Sequence, residues 1–155
     1  MILFKKSFSF QFRLLLAIGI FSLFLFTGCS SKFEKLPESA VDTEMKQTAA
    51  SIGKNILVSQ KEGRFEPLGE EATEAMRAAF TPEEQRKGYL QLKSLFGEFE
   101  SMEYVETYVP KQGSKLFICR FRGKFSKNKN VEVRVVMNEE GKLDGFWLKP
   151  WKKKI

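Results

Sequence analysis

Histidine is absent from this 155-residue chain, cysteine occurs twice, and Asp42 and Asp144 are its only aspartates. Without histidine there is no Ser-His-Asp or Cys-His catalytic set, and two cysteines with scattered carboxylates make a poor zinc site. The sequence also lacks a glycine-rich phosphate loop, a DxDxDG calcium loop and any repeat period. No cofactor, metal or catalytic residue is therefore expected. The longest uncharged apolar run, residues 14–26, is also short. As a helix it reaches about 20 Å, against the roughly 30 Å of a bilayer's hydrocarbon core. A signal-peptide core fits it better than a permanent membrane span.

What flanks that run supports this reading. Lys5, Lys6 and Arg13 precede it with no acid among them, the pattern that holds a segment on the cytoplasmic side during export. Leu25-Phe26-Thr27-Gly28-Cys29 follows at its end and resembles a bacterial lipobox. The resemblance implies cleavage between Gly28 and Cys29 and lipid attachment to the Cys29 thiol, leaving residues 29–155 tied to a membrane. Two or three acyl chains, at about 0.8 kcal/mol per buried methylene, make such an anchor durable. Ser30-Ser31, with no aspartate after the cysteine, resembles the default outer-membrane sorting pattern of a host with two membranes, facing the periplasm.

The processed chain is long enough for one core and too short for two. Loss of Lys5, Lys6 and Arg13 takes the net charge from +7 to +4. Cys119 is then the one free thiol, so no intrachain disulfide can form. Its neighbours Ile118, Arg120 and Phe121 suggest a strand in which the thiol is a small buried hydrophobe.

Residues 29–40 are polar and contain proline, and read as a tether. Helical spacing begins near Val41, with Met45, Ala49, Ile52, Ile56 and Leu57 on one stripe, and ends at Gly63. A second helical pattern covers residues 65–80. Thr81-Pro82, with Glu84 at the third helical position, marks a third helix that Gly97 stops. From Phe99 the apolar period shortens to two, giving strands over residues 102–109, 116–125, 131–137 and 142–151. On the first strand Met102, Tyr104, Glu106 and Tyr108 share a face. Short turns require antiparallel neighbours. The expected fold is α+β: N-terminal helices packed on a curved four-stranded antiparallel sheet, one domain over residues 41–151, then a basic tail over 152–155.

The runs "FTPEEQRKGYLQLKSLFGEFESM" and "VEVRVVMNEEGKLDGFWLKPW" resemble the bacterial envelope-associated family called domain of unknown function 3887. Gly97, Phe99 and Ser101 match its approach to the first strand, and Gly141, Lys142, Gly145 and Pro150 its final hairpin. The likeness implies a cone of the ketosteroid-isomerase or nuclear-transport-factor-two kind. Such a cone would have a cavity lined by Tyr104, Phe117, Cys119, Phe121 and Phe146, and a tendency to pair with a second copy. Isomerase chemistry would need a carboxylate base facing a donor. Glu106 with Tyr104 or Tyr108 is the available set, read here as core aromatics beside an edge charge.

Charge is uneven. Residues 29–106 carry ten Lys/Arg against fifteen Asp/Glu, and residues 107–155 thirteen against four. Arg120, Arg122 and Lys124 share a strand face with Arg134 on the next strand, an exposed surface that could also hold an anion. Trp151 with Lys152, Lys153 and Lys154 forms a tail suited either to solubility or to an anionic lipid surface. Nucleic acid would suit the charge, but the export signal excludes it as a partner. The partners left are the membrane through Cys29, a small apolar ligand or protein bound without catalysis, and a second copy in an assembly role.

Overall fold

Asp42 opens the first helix by accepting the Met45 N–H at 2.9 Å, and α1 runs over Thr43–Lys61; an unpaired N–H at a helix start is satisfied this way. The computed structural model describes residues 32–113 and 115–153. The signal segment, Gly28, Cys29 and Lys154 lie outside the described residues. From Lys32 onward the chain forms a compact unit with its own core. Along α1, Ala49, Gly53, Ile56, Leu57 and Gln60 are buried, three and four residues apart as the apolar spacing predicts.

The second helix is shorter than its pattern. Only Glu74–Ala79 (α2) is helical, capped by the Thr73 hydroxyl, which accepts from Met76 N at 3.2 Å. Pro67 has no N–H to give and Gly69 disfavours helix. Sheet pairing then claims the stretch before Thr73. Ala72 bridges Leu143 in parallel, with Leu143 N donating to the Glu71 carbonyl and Thr73 N to the Leu143 carbonyl. The third helix, α3 over Pro82–Phe96, has Pro82 in its first turn and Gly97 at its end with φ 84°. Thr81 accepts from Glu84 N, but the Glu84 carboxylate bonds Lys87, so half of the capping box is built.

Among the described residues the sheet has five strands in sequence order, all neighbours antiparallel: β1 Phe33–Lys35, β2 Phe99–Pro110, β3 Phe117–Phe125, β4 Val131–Met137 and β5 Leu143–Pro150. Four were expected. The addition, β1, falls inside the expected tether, where three residues are too few to show alternation, and it pairs Phe33 with Pro110 and Lys35 with Tyr108. A 3₁₀ turn at Glu38–Ala40 follows, so regular structure stands here where a tether was expected.

A bulge changes β2. Tyr104 pairs with Phe121 and Glu106 with Arg120, two steps on β2 against one on β3. The extra residue, Val105, turns the strand over. Tyr104 therefore faces inward, its ring 5.8 Å from that of Phe121, whereas Glu106 faces outward with Arg120; the expected shared face is split. The inner face of the sheet carries Cys119, Phe121, Val133, Val135 and Met137, buried against Ala49, Ile56 and Leu57 of α1. Close approach depends on Gly53: a Cβ there would lie 2.9 Å from Val135 Cγ2 and 3.2 Å from Met102 Cε.

Candidate functional site

The outer face of the sheet is charged. Register places Glu106, Arg120, Arg134 and Trp147 in one row across β2 to β5, and Arg122, Glu132 and Lys149 in the next. The alternation that buries Cys119, Phe121, Val133 and Val135 forces these neighbours to the other side. Rather than standing in solvent, Arg120 is fully buried, as is Glu132.

Burying an ion is tolerable only when it is paired and hydrogen-bonded, and the partners are present. Arg120 Nη1 donates to Glu106 Oε1, and Nη2 donates to Glu132 Oε2 at 2.7 Å and to the Lys152 carbonyl at 2.5 Å. Glu132 Oε1 accepts both Nε and Nη2 of Arg134 at 2.9 and 2.7 Å, and Lys149 Nζ lies 3.6 Å away. Lys35 on β1 reaches Glu106 at 3.0 Å. Among the described residues Arg120 Nε has no partner.

The end of the chain covers this network. Trp151 N donates to the Asn130 carbonyl at 3.0 Å, continuing the β4–β5 pairing past Pro150. That bond fixes the indole with the Arg120 guanidinium 4.4 Å and the Arg122 guanidinium 4.7 Å from its ring centroid, the cation–π range. Tyr108 adds a second ring 5.7 Å from Arg120. Burial pushes the Glu132 carboxyl upward, but hydrogen bonds from Arg120 and Arg134 outweigh it and hold the group below the ordinary glutamate range. Next to this network, Gly145 gives Trp147 room: a Cβ there would sit 2.2 Å from Trp147 Cη2. The indole is 53% exposed and borders a depression with Arg134, Leu148 and Lys149.

The residues expected to line a cavity lie on the inner face. Cys119 and Phe121 are buried, and Tyr104, Phe117 and Phe146 are half-buried against the same core. Phe117 also borders a surface depression with Val109, Pro110 and Leu116. A thin polar thread crosses this core: the Tyr104 and Thr107 hydroxyls lie 2.9 Å apart, and Thr107 Oγ1 donates to Cys119 Sγ at 3.6 Å. Burial pushes both the Tyr104 hydroxyl and the Cys119 thiol up. Glu106 and Tyr104 are on opposite faces, so a base facing a donor is not assembled from them.

Arg120, Arg122 and Lys152 are brought together, with Lys153 following. Sequence reasoning missed Glu106 and Glu132 as their counter-ions. Its usable signal was in β4, where Glu132 and Arg134 occupy the polar positions of an apolar strand opposite the arginines of β3. The wrap of Trp151 over Arg120 left no signal beyond an aromatic residue after a strand.

Among the described residues no helix is long and apolar enough to cross a membrane. Comparison with family models, curated proteins and solved structures finds no match for this chain.

Proposed function

We propose that this protein is a lipid-anchored lipoprotein of the bacterial cell envelope, held through Cys29, whose α+β domain binds a partner at its surface without catalysis. The kinship with domain of unknown function 3887, and through it with the cone-shaped superfamily, belongs to the same proposal. It rests on Gly97, Phe99, Ser101, Gly141, Lys142, Gly145 and Pro150. Processing after Gly28 and placement at the periplasmic side of an outer membrane rest on the lipobox and on Ser30-Ser31.

The observation that carries the surface reading is the outer face: a buried Arg120 fixed between Glu106 and Glu132 under Trp151. A buried ionic network is an inefficient source of stability compared with apolar packing. It is a good way to hold the exposed Arg122 and the half-buried Lys149 in fixed positions. The alternative occupant, a small apolar ligand in a cone, needs room where Cys119, Phe121, Val133 and Met137 already pack against α1.

The test is native mass spectrometry of the processed protein purified from its own envelope, together with titration of an apolar fluorescent probe. Surface binding predicts no retained small molecule and no stoichiometric probe uptake. A co-purifying apolar compound at one per chain contradicts it.

A further inference from the structure

We infer that the outer face of the sheet is a docking surface for anionic phospholipid, so that the domain lies with β3, β4 and β5 against the membrane that holds its anchor. The orientation deepens the anchoring proposal and takes its geometry from it.

Chain length is the first argument. Cys29 is three residues from Lys32, and Lys32 already belongs to the ordered edge of the sheet, its carbonyl accepting from Lys111 N at 3.0 Å. Three residues span at most about 11 Å when fully extended. That is close to the roughly 8 Å over which charges are felt at physiological ionic strength. With β1 paired into the sheet, that three-residue length is the most that can separate the anchor from the sheet edge, which keeps this edge beside the headgroups.

Charge is the second argument. Among the described strand residues that register places on this face, Lys35, Arg120, Arg122, Lys124, Arg134 and Lys149 outnumber Glu103, Glu106 and Glu132, and Lys152 and Lys153 follow at its margin. Both acids at the centre are already committed to arginines. Arg122, Lys152 and Lys153 are exposed and can meet phosphates while the network beneath holds them in register. The third argument is that both tryptophans of the chain, Trp147 and Trp151, lie on this side; indoles favour the headgroup level of a bilayer. The helices contact the inner face instead, where α1 packs on β2, β4 and β5.

The test uses residues 29–155 with Cys29→Ser, which retain the whole compact unit and lack acyl chains, so this result is independent of whether Cys29 is modified. Partitioning is measured by sedimentation with phosphatidylcholine vesicles and with vesicles containing anionic phosphatidylglycerol. Docking predicts at least about tenfold stronger partitioning onto the anionic vesicles, lost in high salt, with Trp fluorescence quenched by headgroup-labelled lipid. The triple variant Lys149→Glu, Lys152→Glu, Lys153→Glu loses that preference. A matched triple on the helices, Lys54→Glu, Arg86→Glu, Lys87→Glu, keeps it, which separates the face from net charge. Equal partitioning onto both vesicles, equal loss in the two triples, or a stable dimer that shields both tryptophans overturns the inference.

Discussion

Replacing Arg120 by methionine tests the network at its centre. The side chain is of similar length but carries neither charge nor donors, so Glu106 and Glu132 each lose a hydrogen bond while remaining buried. Charge-assisted hydrogen bonds are worth about 1.5–3 kcal/mol each, and the stack on Trp151 adds about 0.5–2 kcal/mol. Against these stand the relief of desolvating a guanidinium and of the unpartnered Nε. Glu132 keeps Arg134, and Glu106 keeps Lys35, which limits the damage. The expected net loss is about 3–5 kcal/mol, the range for breaking one member of a buried ion pair. In a domain of this size it corresponds to a fall in Tm of about 10–20 °C. Urea unfolding followed by circular dichroism measures the loss directly. The double variant Arg120→Met, Glu132→Met should cost much less than the two single losses added, because Glu132 is then not stranded and Glu106 keeps Lys35. A single loss below about 1 kcal/mol with additive behaviour would refute the reasoning, since an arginine that water can replace is not an enclosed ion.

Three further outcomes follow from the same contacts. The Glu132 carboxyl ionises more readily in the folded chain than in the unfolded one, so the folded state holds fewer protons as the group titrates. Its contribution is complete above about pH 5 and is lost as pH falls through the lowered folded value; urea midpoints between pH 7 and pH 3 should show the drop, and Glu132→Gln should shrink it. Trp151→Ala should destabilise by about 1–2 kcal/mol and admit water to Arg120, measured by the same unfolding curves with hydrogen exchange at Arg122. Cys119, buried with its thiol pushed up, should react with a thiol reagent no faster than the domain unfolds, and a fast reaction in native buffer would contradict its placement.

The readable parts of the fold were those with local causes. Thr81-Pro82 and Gly97 bound α3 because capping and proline geometry are decided within a turn, and the short apolar period after Phe99 located β3 and β4 and set Arg120 and Arg122 on a face with Arg134. What could not be read depended on distant partners. Residues 65–73 carry helical spacing, but Glu71, Ala72 and Thr73 pair with Leu143, and β1 is too short for a pattern and exists through β2. At Val105 a single bulged residue sends Tyr104 and Glu106 to opposite sides, which no count of alternating residues can foresee. The site was half visible: Arg120 and Arg122 stood out as a basic face, but burial of Arg120 follows from Glu106, Glu132 and the returning Trp151, which meet only once the strands are in register.

The most direct measurement is the intact mass of the protein purified from its native membrane, with fragmentation of its N-terminal peptide. The account predicts a chain beginning at Cys29 and carrying acyl groups on that residue. A polypeptide retaining residues 1–28 with an unmodified Cys29 thiol would contradict it.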